Sequence, residues 1–175
     1  MKFNILFLIY LCLIQYILTA APSRIFIAGD STADSNGGHN GKTEGWGKYI
    51  GNYLKAIINN HAVSGQSARI FYHDGAWNNL IKEIQKGDYV FIQFGHNDVG
   101  GPNSNPKGAA GGTGYETVTV TVNGKEEVVN TFPWYIRYFA NQVLEKVTTP
   151  LILSLTPNFS FVDGKFLNLV DLPDL

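Results

Sequence analysis

Three short clusters of small and polar residues are the part of this 175-residue chain that could carry out chemistry. They are Gly29-Asp30-Ser31-Thr32, Val63-Ser64-Gly65-Gln66-Ser67 and Gly95-His96-Asn97-Asp98. A serine hydroxyl can attack an ester carbonyl once a base takes its proton, and N–H donors can hold the negative charge that then develops. Each cluster alone is more typical of a turn, because Gly, Asp, Ser and Asn are the commonest turn residues.

Each cluster follows a predicted strand. RIFIA (24–28), DYVFIQFG (88–95) and PLILSLTPN (150–158) read as buried parallel strands, and AIINNHAV (56–63) is a weaker candidate. Helical patterns alternate with them at 45–57, at 74–87, where Gly87 closes the helix, and at 131–147, where Thr131 is the cap and Pro133 lies in the first turn. This alternation predicts an open parallel α/β sheet, in which ligands bind at the carboxyl ends of the strands.

The pattern breaks between residues 100 and 130. The composition of GGPNSNPKGAAGGTG predicts a mobile loop, and ETVTVTVNGKEEVV predicts a β-hairpin with Asn123-Gly124 at its turn. No internal repeat and no second domain are evident.

In this order and spacing, the motifs resemble the SGNH (GDSL-type) hydrolase family, and within it the rhamnogalacturonan acetylesterases. The segments that carry the resemblance lie between about residues 24 and 166: GDST, GWG, AVSGQSAR, GHND, the hairpin leading into TFP, and ILSLTPN followed by DGKF. The resemblance implies a three-layer, flavodoxin-like α/β fold with an open parallel sheet of order 2-1-3-4-(5) and a small β-hairpin insertion.

The resemblance also implies roles, which agree with the chemistry of the residues. Ser31 would be the nucleophile, and the oxyanion hole would consist of its own backbone N–H, that of Gly65 and the side-chain amide of Asn97. The residues expected to support them are Asp30, which would organise the turn, Thr32, His96 and Asp98.

The base is where the sequence departs from the family, whose Asp-x-x-His motif near the C-terminus supplies the acid and base of the triad. This sequence has four histidines, none with an aspartate three residues before it: His39, His61, His73 and His96. His96 is expected to face away from Asn97, and His61 to be packed, so no substitute base is expected. We therefore expect residues 22–175 to form an SGNH hydrolase domain truncated at the C-terminus, without the family's catalytic Asp and His, last strand and final helices.

Residues 1–20 differ in composition from the rest. A positive start at Lys2, a long apolar run and small residues up to Ala20 and Ala21 predict a secretory signal peptide, with a membrane anchor as the alternative. The protein is then secreted and extracellular, with no membrane association after cleavage and a possible N-glycan at Asn158. Cys12 lies in this segment, so no disulfide is expected.

Charge and composition limit the partners. The net charge of −1 gives no electrostatic reason to bind nucleic acid, and the scattered histidines predict neither a metal site nor a cofactor. Four aromatic residues could stack on sugar rings or belong to the core: Trp46, Tyr72, Trp77 and Trp134.

The function expected from the resemblance is a carbohydrate esterase that removes acetyl groups from a plant cell-wall polysaccharide such as rhamnogalacturonan or pectin. Without the histidine base, the chain as written is expected to be nearly inactive. The alternatives are a polysaccharide-binding protein without turnover, and an SGNH esterase or lipase for another substrate class. A lipase would carry a long apolar lid, whereas residues 100–130 are glycine-rich and polar, which favours a carbohydrate ester.

Overall fold

The computed structural model describes residues 22–36 and 43–155, together with the backbone of residues 161–162 and 165–166. The predicted signal peptide, His39 and Asn158 lie outside these residues.

Four parallel strands form the central sheet. The strands of the chain are β1 (Arg24–Gly29), β2 (Ile57–Asn60), β3 (Tyr89–Gln93), β4 (Thr117–Val122), β5 (Lys125–Asn130), β6 (Thr149–Ile152), and the two-residue pair β7 (Phe161–Val162) and β8 (Lys165–Phe166). The sheet has the order β2-β1-β3-β6, and β4 pairs with β5 as an antiparallel hairpin. The predicted α/β fold and the strand order are therefore confirmed, with β6 in fourth place.

Alternation along β1 gives the sheet two buried faces. Phe26 and Ala28 pack on one face, whereas Ile25 and Ile27 pack on the other. The first face is covered by three helices, α1 (Ala68–His73), α2 (Ala76–Glu83) and α3 (Phe132–Glu145). The second face is covered by the segment around Trp46 and Ile50. The result is three layers, because successive residues of a strand point to opposite sides.

Helix α3 begins as its sequence predicts. The Thr131 hydroxyl accepts a hydrogen bond from the Trp134 backbone N–H at 3.3 Å, and Pro133 lies in the first turn, where its missing N–H costs nothing. Its buried face carries Tyr135, Phe139 and Val143, at four-residue spacing. Phe139 stacks on the fully buried Trp77 of α2, with 4.1 Å between the ring centroids.

The helix predicted at 45–57 is wrong. Two short 3₁₀ turns occupy this segment, at Trp46–Lys48 and Ile50–Asn52. The segment lies directly against the turn after β1, so that a Cβ on Gly47 would stand 2.2 Å from the Ala33 carbonyl oxygen. Glycines allow this close approach and are poor helix formers, so tertiary packing overrides the helical spacing.

The helices differ from expectation in two further respects: one ends earlier than predicted, and one was not predicted. Helix α2 ends at Glu83, because Ile84 leaves the helix in an extended conformation and is buried, and Gly87 belongs to a separate turn before β3. The six-residue α1 was not predicted, since so short a helix leaves no readable periodicity.

The hairpin is confirmed, with Asn123 and Gly124 both at positive φ, 51° and 76°.

The strand predicted as buried at 150–158 spans only Thr149–Ile152, with 51% of Ile152 exposed. It is less buried than predicted because it is the last strand of the described sheet; residues 156–158 lie outside the described part.

Candidate functional site

The carboxyl ends of β1, β2 and β3 bring the three polar clusters together. The backbone N–H of Val63 donates to the carbonyl oxygen of Gly29 at 3.0 Å, which joins the second cluster to the end of β1. The Asn97 Nδ2 donates to the Gln66 carbonyl oxygen at 2.9 Å, which joins the third cluster to the second. Parallel strands end at the same edge of a sheet, so segments far apart in sequence meet there.

Asp30 shapes the turn that carries Ser31. Its buried Oδ1 accepts hydrogen bonds from the Thr32 backbone N–H at 2.9 Å and from the Thr32 hydroxyl at 2.7 Å. Its carbonyl oxygen accepts from the backbone N–H groups of Ala33 and Asp34. Ser31 is half-buried at the tip of this turn.

Three N–H donors lie on the segments that meet at this edge, and each has a hydrogen that the described structure leaves without an acceptor. Among the described residues, neither the Ser31 nor the Gly65 backbone N–H has a hydrogen-bond acceptor. Gly65 has φ of +78°, a left-handed conformation that favours glycine. Asn97 uses one amide hydrogen on Gln66, and a side-chain amide has two. These three N–H donors are therefore candidates for binding an oxygen atom that becomes negatively charged.

Asp98, the residue after Asn97, fixes the first residue of α1. Its Oδ1 accepts from the Ala68 backbone N–H at 2.9 Å, and the Ser67 hydroxyl accepts from the Ile70 N–H at 3.1 Å. Burial, with a smaller contribution from the charge of Asp30, raises the pKa of Asp98 to about 7 despite its backbone hydrogen bonds. In the described structure, the Oδ2 atoms of Asp98 and Asp30 are buried without hydrogen-bond partners.

The side chain of Gln93, which the sequence analysis did not single out, forms a hydrogen-bond network next to the site. The Gln93 Oε1 accepts from Trp46 Nε1 at 2.5 Å and from the Thr32 hydroxyl at 3.1 Å, and its Nε2 donates to the Ser154 carbonyl oxygen at 2.8 Å. It links the end of β1 to the segments around Trp46 and Ser154. The signal in the sequence was a single amide side chain, Gln93, within the otherwise apolar run YVFIQF.

The structure records no hydrogen bond between Ser31 and any of the three described histidines. The ring of His61 stacks on Phe26, and its Nε2 lies 3.5 Å from Glu83. The His73 Nε2 lies 3.3 Å from Glu127, and burial lowers the pKa of His73. No hydrogen bond joins His61, His73 or the half-buried His96 to Ser31, so none of these three is positioned as its base.

Of the four candidate aromatic residues, one is fully buried and three are partly exposed. Trp77 is fully buried, and Trp46 bonds to Gln93. Tyr72 and Trp134 are partly exposed and meet edge to face, with 5.9 Å between their centroids. Trp46 is also partly exposed, so three of the four rings keep surface that a sugar could contact.

The remaining searches cover only the described part of the chain. It holds no group of three or more His, Cys, Asp or Glu side chains placed to bind a metal ion. None of its helices has both the length and the apolar character needed to cross a bilayer. An apolar cavity of about 360 Å³ lies between β6 and α3, lined by residues that include Phe94, Ile136, Ile152 and Leu155.

Comparison with known proteins agrees with this geometry. Residues 25–166 match the GDSL-like lipase/acylhydrolase family. The rhamnogalacturonan acetylesterase of Emericella nidulans is 41% identical over 149 residues, which are 85% of this chain and 58% of that protein. The probable rhamnogalacturonan acetylesterase YesY of Bacillus subtilis is 29% identical over 154 residues, 87% of this chain and 61% of that protein.

A solved structure shows the same fold. The crystal structure of the Bacillus subtilis protein YxiM superimposes with a TM-score of 0.55 at 25% identity, over 79% of this chain and 34% of that chain. The chain spans about three-fifths of the length of the two curated relatives above. The family match covers most of the chain, and the observed strand order is the one expected for that family. The chain therefore belongs to the GDSL-like lipase/acylhydrolase family.

Proposed function

We propose that the protein is a secreted, extracellular carbohydrate esterase that removes acetyl groups from a plant cell-wall polysaccharide of the rhamnogalacturonan or pectin type. The observation that carries the proposal is that the segments bearing Ser31, Gly65 and Asn97 meet at the carboxyl edge of the sheet, joined by backbone and side-chain hydrogen bonds. The names of the two curated relatives support the substrate class.

Each residue has a distinct role in the proposed reaction. The Ser31 Oγ attacks the acetyl carbonyl carbon, and the backbone N–H groups of Ser31 and Gly65 and the Asn97 amide bind the oxygen as it becomes negative. The sugar hydroxyl leaves with a proton, and water then releases acetate from the acetyl-serine. Each oxyanion donor contributes roughly 3 kcal/mol to lowering the barrier.

The proton of Ser31 needs an acceptor that the described residues do not supply. Loss of the histidine of a serine triad costs on the order of 10⁶ in turnover, and oxyanion donors alone leave roughly 10³–10⁴ over water. The described residues by themselves are therefore expected to turn over acetyl esters only weakly. An extension with the C-terminal part of the Emericella relative is expected to raise the rate by several orders of magnitude.

The test measures acetate release from acetylated rhamnogalacturonan by both versions, with acetylated xylan and a triglyceride emulsion as comparison substrates. A serine-directed phosphonate, followed by peptide mapping, identifies the nucleophile. Modification of a residue other than Ser31, or hydrolysis of only the triglyceride, would contradict the proposal.

One observation favours a second candidate, a polysaccharide-binding protein without turnover: in the described structure no hydrogen bond joins a histidine to Ser31. Tight binding of the polysaccharide by both versions, with no acetate released by either, would favour this function instead.

A further inference from the structure

A positive charge stands next to the candidate oxyanion hole. A Cβ built on Gly65 would lie only 3.2 Å from the Nζ of Lys107, so the ammonium group is close to the backbone that carries the Gly65 N–H. Lys107 belongs to the glycine-rich segment between β3 and β4, far from Gly65 in sequence.

The loop that carries Lys107 is tied to the site. The Asn105 Nδ2 donates to the carbonyl oxygens of Asn97 at 3.0 Å and Val99 at 2.8 Å, and the Asn105 Oδ1 accepts from the Lys107 backbone N–H at 3.0 Å. The next residue is held as well, because the buried Arg69 donates from Nη1 to the Gly108 carbonyl oxygen at 2.9 Å. The Lys107 backbone is therefore fixed relative to Asn97.

The ammonium group itself is not neutralised within the described structure. Lys107 is exposed and forms no ion pair with any described carboxylate, whereas Arg24, Lys48 and Arg69 each do. An exposed lysine held beside a substrate-binding edge attracts an anionic group of the ligand. A carboxylate on the sugar chain that bears the acetyl ester is such a group.

We infer that Lys107 is a specificity residue that binds the carboxylate of a uronic acid in the substrate, next to the sugar whose acetyl group reaches Ser31. This inference rests on the proposed function and deepens it: the preferred substrate is an acetylated acidic polysaccharide, not a neutral one. Lys107 acts in binding and takes no part in proton transfer.

A binding experiment tests this without requiring turnover. The ligand is a non-acetylated rhamnogalacturonan oligosaccharide, compared with the same oligosaccharide after its carboxyl groups have been reduced to alcohols. Isothermal calorimetry at low salt is expected to show about five- to tenfold weaker binding of the acidic form by Lys107→Gln, and unchanged binding of the reduced form. Lys107→Arg is expected to keep most of the affinity.

Lys86→Gln is the matched control. Lys86 is also exposed, but it lies just before β3, at the amino ends of the strands, whereas Ser31 lies at their carboxyl ends. Its replacement is therefore expected to leave the affinities for the acidic and the reduced oligosaccharide unchanged. Raising the salt concentration is expected to shrink the difference between wild type and Lys107→Gln, because exposed charge pairs are screened.

Kinetics of a catalytically active version extended at the C-terminus separate this inference from the proposed function. Lys107→Gln is expected to lower kcat/KM about five- to tenfold for the acetylated acidic oligosaccharide, mainly through KM, and to leave the carboxyl-reduced form unaffected. Equal losses on both forms, a loss confined to kcat, or no measurable binding of the acidic oligosaccharide by wild type would overturn the inference. Failure of the proposed function is a different result: binding that depends on Lys107, with no acetate released by wild type.

Discussion

In the proposed reaction Asn97 has two tasks: one amide hydrogen holds the Gln66 carbonyl oxygen, and the other would bind the substrate oxyanion. We expect Asn97→Ala to lower kcat of an active, extended version roughly 10²–10³-fold, since an oxyanion donor acts mainly in the transition state. Asn78→Ala, on the exposed surface of α2, is the control and should leave kcat unchanged. An unaltered kcat in Asn97→Ala would leave the residue a structural link between the second and third clusters.

Asp98 is expected to make stability depend on pH in an unusual direction. Its pKa is about 7 in the folded protein, above the ordinary value of 3.8, so the folded state binds the proton more tightly than the unfolded state does. The stability that this group contributes is present below about pH 4 and is lost as the pH rises towards 7. Asp98→Asn keeps an acceptor for the Ala68 N–H and does not titrate.

The measurement is the free energy of unfolding of wild type and Asp98→Asn from pH 5 to pH 8. Wild type is expected to lose roughly 1–4 kcal/mol relative to the variant over this range. The exposed Glu126→Gln serves as control and should show a constant difference from wild type. A constant difference for Asp98→Asn would mean that the carboxyl is ionised throughout.

At the scale of elements, one buried side chain joins three segments. Arg69 of α1 donates from Nε to Glu127 of β5 at 2.8 Å and from Nη1 to the Gly108 carbonyl oxygen at 2.9 Å. Its side chain is 1% exposed, whereas that of Glu127 is 21% exposed. The hairpin and the loop that carries Lys107 therefore share one anchor on the helix beside Gly65.

We expect Arg69→Met to lower the free energy of unfolding by roughly 2–4 kcal/mol, because it leaves a largely buried carboxylate and a carbonyl oxygen without their donor. Denaturant unfolding measures the loss, with Lys82→Met on the exposed surface of α2 as the matched control. Amide hydrogen exchange should also become faster in β4 and β5 than in β1 and β3. A loss below 1 kcal/mol would show that the hairpin docks without this ion pair.

The contacts of Arg69 also show which features of the fold could not be predicted from the sequence. Ser31, Gly65 and Asn97 could be placed at one edge because each follows a run readable as a parallel strand, and parallel strands end together. The contacts of Arg69 span 39 and 58 residues and depend on how the hairpin docks, which no local pattern encodes. The segment around Gly47 was misassigned as a helix for a related reason, since its path follows from contact with Ala33.

At the scale of the whole molecule, the two ends of the described sheet differ. Ile152 at the end of β6 and Leu155 just after it are exposed, and with Phe94 and Ile136 they line the apolar cavity of about 360 Å³ against α3. Exposed, uncharged edge strands can pair with other chains, and natural edges often carry a charge that prevents it. Neither β6 nor β2 at the other edge has a charged residue, and what distinguishes β6 is the apolar cavity beside it.

We expect the 175-residue chain to bind a hydrophobic dye and to self-associate through β6. Ile152→Lys places a charge on this edge and should shift the protein towards monomer in sedimentation velocity, with lower dye fluorescence. Ile57→Lys is the matched control: Ile57 is similarly exposed, but it lies on β2, at the opposite end of the sheet. The prediction fails if wild type is monomeric with a sharp, cooperative melt, or if Ile57→Lys disrupts association as strongly as Ile152→Lys. If it holds, a segment that covers β6 and the cavity should suppress dye binding, which the extended version can show directly.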